Sequence, residues 1–267
     1  MLQPAVTLRS RPQESRRSPF PFLPIMFWFL CISAALCVGL SKSGFPGVSL
    51  LTVALMAQAF PPKISTGVLL PLLVFGDVCA VKAFRKHALW DQILRMLPPT
   101  VAGIFIGFWM MQHLAEAQFR PVLGWMLLAT VLVQALRSAF PQLGAAVPHT
   151  RAFAWTMGVW AGVATMIANA AGPVMAIYLL SLSLPKQNLV GTSAWFFLLI
   201  NVFKLPFSWK LGLLHTPTLL LDLALCPLVI LGTLLGRSLL HRIPQRLFES
   251  LLLLSAAAAA LKMALPL

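Results

Sequence analysis

Apolar runs long enough to cross a lipid bilayer recur from residue 20 to the end of the chain. A transmembrane helix needs roughly 20 predominantly apolar residues. The runs are uniformly apolar, whereas the strands of a membrane barrel alternate apolar and polar residues. Breakers and polar loops separate ten segments, at about 20–40, 46–60, 64–82, 92–112, 119–137, 152–169, 173–184, 190–209, 217–240 and 246–265. The sequence therefore predicts an all-α polytopic membrane protein.

The charge distribution supports a membrane protein and excludes a nucleic-acid partner. Charged residues make up only 10% of the chain, and the formal net charge is +14. The basic residues cluster at 9–17, 82–87 and 241–246, in connectors and a tail, which is typical of the positive-inside rule. No soluble domain remains to present a basic face to a nucleic acid. The four cysteines lie in apolar segments without metal-ligand spacing, so we expect no metal and no cofactor.

The N-terminal segment 1–24 is rich in Arg and Pro and poor in apolar residues, which predicts a disordered tail. Met26 opens the first apolar run and is an alternative start of translation. The run at 20–40 is long for the apolar part of a signal peptide and lacks a convincing cleavage site, so we expect an uncleaved first helix.

Two sets of five segments match each other, which indicates an internal duplication. The same shift along the sequence aligns Gly67 with Gly191 and Asp77 with Asn201. Near the end of each set, one further offset places Pro98, Gly103, Gly107 and Phe119 on Pro227, Gly232, Gly236 and Phe248. Secondary transporters are often built from such repeats. The predicted homologous halves are residues 25–140 and 152–267.

The second and seventh segments, of about 15 and about 12 residues, are too short to span a bilayer comfortably. Interpreted as broken or re-entrant elements, they leave about eight transmembrane helices. Eight crossings with the tail inside place 82–87 in the cytoplasm but 241–246 outside. Ten crossings with inverted halves place 241–246 in the cytoplasm, but they place the basic tail outside. We prefer eight crossings.

Each short segment follows a Gly-Pro break, SKSGFPG at 41–47 and NAAGP at 169–173. Proline is tolerated in the first turn of a helix, so Pro46 and Pro173 would begin half-helices whose free N–H groups attract anions. The candidate ligand residues at these breaks are Lys42, Ser43, Gly44, Gly47, Asn169, Gly172 and Pro173. The alternatives are that the breaks only kink packed helices and that Lys42 marks a membrane interface.

Three polar residues lie deep within apolar segments. An intramembrane carboxylate is costly and is a functional hypothesis by default, so Asp77 would either carry a coupling proton or pair with a lysine. Asn201 and Lys204 share a helix face just before Pro206, which predicts an irregular helix there. They would line an anion pathway; alternatively, Asn201 bridges helices and Lys204 extends to the interface.

Residues 39–90 and 169–214, with their Gly-Pro breaks and the element NVFKLP at 201–206, resemble the two halves of the TauE/SafE-type sulfite exporter family. The resemblance covers essentially residues 26–265. It implies a multi-pass permease of the inner membrane that moves sulfite, thiosulfate, sulfonates or other small organic anions, with transport that is proton-linked or of unknown coupling. Its binding residues carry over to Lys42, Ser43, Gly44, Gly47, Gly172, Pro173, Asn201 and Lys204. Ala171 stands where the family often has glycine, which leaves the substrate open.

A secondary transporter of small anions is therefore the expected function. A channel or an accessory protein of a respiratory or assembly complex is the alternative. A membrane-embedded enzyme is disfavoured because the six acidic residues and five histidines are dispersed, whereas catalysis usually needs them clustered. The sequence leaves the oligomeric state, the coupling ion and the direction of transport open.

Overall fold

A computed structural model describes residues 24–43, 47–140, 150–182, 184–239 and 245–265. These residues form ten α-helices and a short 3₁₀-helix, and they contain no strand. Residues 1–23 of the predicted tail and the break residues Gly44 and Pro46 lie outside them, whereas Pro24, the last residue of the predicted tail, begins the first helix. The helices are α1 (Pro24–Lys42), α2 (Val48–Ala59), α3 (Pro62–Phe84), α4 (Trp90–His113), α5 (Glu116–Ala139), α6 (Arg151–Ala168), α7 (Gly172–Ser181), α8 (Lys186–Lys210), α9 (Thr216–Leu239) and α10 (Gln245–Ala264), with the 3₁₀-helix at Arg85–His87.

Six spans within these helices are long and apolar enough to cross a membrane. They are Ile25–Lys42, Pro62–His87, Trp90–His113, Glu116–Leu136, Gln187–Lys210 and Thr216–Gly236. The count of eight crossings stays a prediction. Pro206 does not break α8, which continues through it to Lys210, because a membrane helix tolerates the loss of one backbone hydrogen bond where neighbouring groups compensate.

The directions of the first helices differ from the preferred eight-crossing arrangement. The chain returns along α2, since Phe60 after α2 packs against Phe27 near the start of α1, with ring centroids 5.3 Å apart. The first turns of α3 then lie beside Leu213, just before α9, while Gly76 lies beside Lys42 at the end of α1. Helices α1 and α3 therefore point the same way, and the basic 82–87 connector lies at the end of the bundle opposite to the start of α1. The physical reason is that α2, the short helix between α1 and α3, reverses the direction of the chain.

Close glycine contacts join α1 to α9 and α4 to α6. A Cβ on Gly232 would lie 2.2 Å from the carbonyl oxygen of Leu36, and one on Gly103 would lie 2.1 Å from that of Val159. Gly107 and Gly236 are similarly tight against Met166 and Ser43. Only glycine permits such an approach, so the interpretation of the GxxxG spacings as helix-packing motifs is confirmed.

Helices α3 and α8 run antiparallel through the middle of the bundle. Gly191, near the start of α8, lies against the carbonyl oxygen of Phe84 at the end of α3. Asn201, farther along α8, contacts Asp77. Both helices carry polar side chains where they face each other, and these side chains form the site.

Candidate functional site

Asp77 is fully buried on α3, and both of its carboxylate oxygens accept hydrogen bonds. Lys42, the last residue of α1, donates from Nζ to Oδ1 at 2.6 Å. Asn201 of α8 donates from Nδ2 to Oδ2 at 2.7 Å. The Lys42 ammonium also lies 5.4 Å from the ring centroid of Phe197, a cation–π distance. The pairing alternative for Asp77 is therefore the arrangement observed, and Lys42 points into the protein rather than to an interface.

Lys204 lies one turn after Asn201 on α8, and its side chain is only 1% exposed. Its Nζ donates to Oδ1 of Asn169 at 2.6 Å, to Oγ1 of Thr165 at 3.0 Å and to Oδ1 of Asn201 at 3.3 Å. These three acceptors match the three donors of an ammonium group. The interpretation of Lys204 as a lysine that reaches the interface is wrong, because the side chain ends inside the bundle.

Asn169 forms the turn between α6 and α7. It caps α6 in the left-handed conformation, with φ 51° and ψ 29°, which asparagine tolerates better than most residues. Its Nδ2 donates to the carbonyl oxygen of Thr66 on α3 at 2.8 Å. This second bond fixes the amide so that Oδ1 faces Lys204. Helix α7 begins at Gly172, so the predicted second break is present.

These contacts join five predicted site residues into one network. It runs from Lys42 through Asp77, Asn201 and Lys204 to Asn169, and so connects the end of α1 with the break that precedes α7. The network contains two lysines and one carboxylate. Among the described residues, the Lys42–Asp77 contact is the one salt bridge within 4.0 Å, and Lys204 contacts neutral oxygens only.

The other predicted residues are placed differently. Ser43 donates to the carbonyl oxygens of Thr233 at 2.8 Å and Gly39 at 3.3 Å, so its hydroxyl serves the contact between α1 and α9. Gly47 precedes α2. Gly172 and Pro173 are the first two residues of α7. The remaining predicted residue, Gly44, is not among those described.

Three of the buried polar residues that sequence reasoning missed are important for the site or its surroundings. Thr165 of α6 binds Lys204, but a single hydroxyl in an apolar run carries little signal. Gln134 of α5 is fully buried, and neither its amide nitrogen nor its amide oxygen has a hydrogen-bond partner. Its Nε2 lies close to Gly47, 3.9 Å from the position that a Cβ would occupy there. Asp222 of α9 is also buried without a hydrogen-bond partner. Its signal was available, because it is an acidic residue inside a predicted span.

The described residues contain no group of three or more His, Cys, Asp or Glu side chains that could hold a metal ion. The chemistry that the network offers is charge and hydrogen bonding: two ammonium groups, two amides, a hydroxyl and a carboxylate. Such groups suit the binding of a small polar ion.

A helical bundle with several membrane-capable spans and a buried charged network between broken helices defines the class of membrane transporters. The model of one protein family, described as "Sulfite exporter TauE/SafE", matches residues 31–263. The chain therefore belongs to the sulfite exporter TauE/SafE family and is a multi-pass membrane protein. Comparisons with curated proteins and with solved structures gave no match.

Proposed function

We propose that this protein is a secondary transporter of small sulfur oxyanions, with sulfite as the representative substrate, in the inner membrane of the cell. The observation that carries the proposal is the environment of Lys204. The network around Lys204 buries two ammonium groups but one carboxylate, Asp77, which is in direct contact with Lys42, so one positive charge is left in excess in a site of low polarity. An anion at this position would offset the cost of burying that charge.

The start of α7 adds to the attraction for an anion. The first turn of a helix has N–H groups without acceptors in the helix, and it carries the positive end of the helix dipole. Asn169, which binds Lys204, lies three residues before Gly172 at that start. A cation beside a helix N-terminus is a favourable arrangement for an oxyanion. In this proposal the oxyanion binds the Lys204 ammonium, and Asn169 and Thr165 hold that ammonium in place near the start of α7.

Two homologous halves of opposite orientation are part of the proposal. The contact of α1 with α9 resembles that of α4 with α6, since each contains a glycine packed against backbone. Helices α3 and α8, which occupy matching places in the predicted repeat, run antiparallel. Inverted repeats with broken helices at the centre are a recurring design of secondary transporters. They support alternating access to the site between residues 25–140 and 152–267.

Uptake by purified protein in liposomes tests the proposal. We expect radiolabelled sulfite to exchange against internal sulfite with saturable kinetics, and Lys204→Met to show little exchange at sulfite concentrations near half-saturation of the wild-type protein. Lys210→Met is the matched control, because Lys210 ends the same helix with its side chain exposed. Absence of sulfite exchange by the wild-type protein would contradict the proposal. Sulfite flux that does not saturate and is not accelerated by internal sulfite would instead identify a channel.

A further inference from the structure

Asp222 is a buried carboxylate that the proposed anion site does not use. It lies in the second turn of α9, and the residue is 3% exposed. Its neighbours in sequence, Leu220 and Leu223, are 62% and 69% exposed, so Asp222 faces the bundle while they face outward. Neither of its oxygens has a hydrogen-bond partner, and no salt bridge joins it to another described residue.

Among the described residues, the titratable groups that interact with Asp222 are thiols. Helices α1 and α3 pack against α9. Cys31 of α1 and Cys226, one turn later on α9, interact electrostatically with Asp222, and Cys79 of α3 interacts with Cys226. Within the described part of the chain, no lysine, arginine or histidine contacts the carboxylate in a salt bridge. Its surroundings therefore supply no charge that would stabilise an anion.

Asp222 is separate from the lysine network. Its carboxylate accepts no hydrogen bond from Lys42, Asn201 or Lys204, and no salt bridge joins it to either lysine. The hydrogen bonds of the network run through Asp77, Asn201 and Lys204 without reaching α9.

The two buried carboxylates have opposite environments, and this difference assigns them different roles. Asp77 accepts hydrogen bonds from Lys42 and Asn201, which stabilise its anionic form. An ionised carboxylate without any partner costs several kcal/mol in an apolar interior. The neutral acid avoids most of that cost, so a proton on Asp222 is favoured in this conformation.

We propose that Asp222 is the proton-binding site that couples proton movement to anion transport in this protein. The inference rests on the proposed function. One carboxylate oxygen takes a proton from water at one membrane surface and returns it to water at the other, and no other bond changes. Release requires a conformation in which Asp222 gains water or a cation, which alternating access would provide. Asp77 then serves as the fixed counter-charge of Lys42.

Infrared difference spectroscopy on the purified protein without any anion tests the protonation directly. We expect the carbonyl band of a buried protonated acid at neutral pH, lost in Asp222→Asn and kept in Asp77→Asn and Glu116→Gln. Glu116 is an exposed acid at the start of α5 and is the control. Should Asp222→Asn fail to fold, Asp222→Leu replaces it. A band that survives the Asp222 substitution would overturn the proposal, and so would failure of both neutral variants to fold, because a neutral acid tolerates neutral replacement.

Proton flux in sulfite-loaded liposomes, followed with a pH-sensitive dye, tests the coupling. We expect a sulfite gradient to drive proton movement in the wild-type protein, and Asp222→Asn to reduce that movement at least tenfold while sulfite exchange continues. Exchange with undiminished proton flux in Asp222→Asn would overturn the assignment of the coupling site. Absence of sulfite exchange in the wild-type protein would refute the proposed function instead, and the infrared result would remain a separate measurement.

Discussion

The two lysines of the buried network have different hydrogen-bond partners, although both lie close to the end of a helix. Lys42 is the last residue of α1, and Lys204 bonds to Asn169 at the end of α6. Lys42 contacts the carboxylate of Asp77. Lys204 contacts a hydroxyl and two amide oxygens. Asp77 and Asn201 align in the predicted repeat, so an acid in the first half corresponds to an amide in the second. In the proposed duplication, the amide in place of the acid would leave the charge of the second lysine to a ligand.

The two predicted halves also differ in which helix supplies the lysine. Lys42 ends α1, whereas Lys204 lies within α8 and reaches back to Thr165 and Asn169 around the end of α6. Asn201 connects the two arrangements, because its Nδ2 donates to Asp77 and its Oδ1 accepts from Lys204. One amide therefore hydrogen-bonds both to Asp77, the partner of Lys42, and to Lys204.

The largest effect is expected for Lys42→Met. The substitution removes the cation from Asp77 and leaves a buried anion, which destabilises a protein by about 3–5 kcal/mol. We expect a large loss in thermal stability of the detergent-solubilised protein, measured by the temperature at which half of it aggregates. The double variant Lys42→Met/Asp77→Asn should recover most of the loss. If the single and double variants are equally unstable, Asp77 does not depend on Lys42 for its charge balance.

Part of this site could be predicted from the sequence, because burial in lipid makes polar residues conspicuous. Asp77, Asn201 and Lys204 stand out in apolar runs, and Asn169 precedes a visible Gly-Pro break. Their connectivity could not be predicted: the contact of Lys42 with Asp77 depends on α2 reversing the chain, so that α1 and α3 run the same way. Thr165 and Gln134 are ordinary polar residues until packing buries them, and only the structure identifies them.

The next effect concerns Lys204, and it tests whether the second lysine serves a ligand. Lys204→Met should reduce the apparent affinity for sulfite by about 100-fold, equivalent to about 2.7 kcal/mol, because the ligand loses a charged donor. Lys204→Arg should keep some affinity but change the preference between sulfite and thiosulfate, since its planar donor group differs. The measurement is competition of each anion against labelled sulfite exchange. An unchanged affinity in Lys204→Met would exclude direct binding.

A smaller effect is expected where the neutral partners of Lys204 are removed. Asn169→Ala removes the oxygen that lies 2.6 Å from Nζ of Lys204, and it also removes the hydrogen bond to Thr66. We expect the apparent affinity for sulfite to be about tenfold weaker, because hydrogen bonds to charged groups contribute roughly 1.5–3 kcal/mol. Asn169→Asp would instead pair with Lys204 and make the second half resemble the first. We expect Asn169→Asp to bind sulfite more weakly than Asn169→Ala does. Sulfite exchange measured over a concentration series gives the apparent affinity of each variant. Weaker binding by Asn169→Ala than by Asn169→Asp would show that Lys204 can pair with a carboxylate and still bind sulfite.

The smallest effect is expected at Ser43, which lies next to Lys42 yet belongs to a different contact. Its hydroxyl donates to the carbonyl oxygens of Thr233 and Gly39, so it joins α1 to α9 and has no bond to the lysine network. Ser43→Ala removes a neutral hydrogen bond that contributes about 1 kcal/mol to stability. We expect the apparent affinity for sulfite to change by less than about threefold, and thermal stability to fall slightly.

Thr165→Val is the matched comparison in the second predicted half, because it removes a hydroxyl that does bind Lys204. Its effect on the apparent affinity for sulfite should be larger than that of Ser43→Ala. If Ser43→Ala weakens sulfite binding as strongly as Thr165→Val, the first break contributes directly to the site, and the division of roles between the two lysines is wrong.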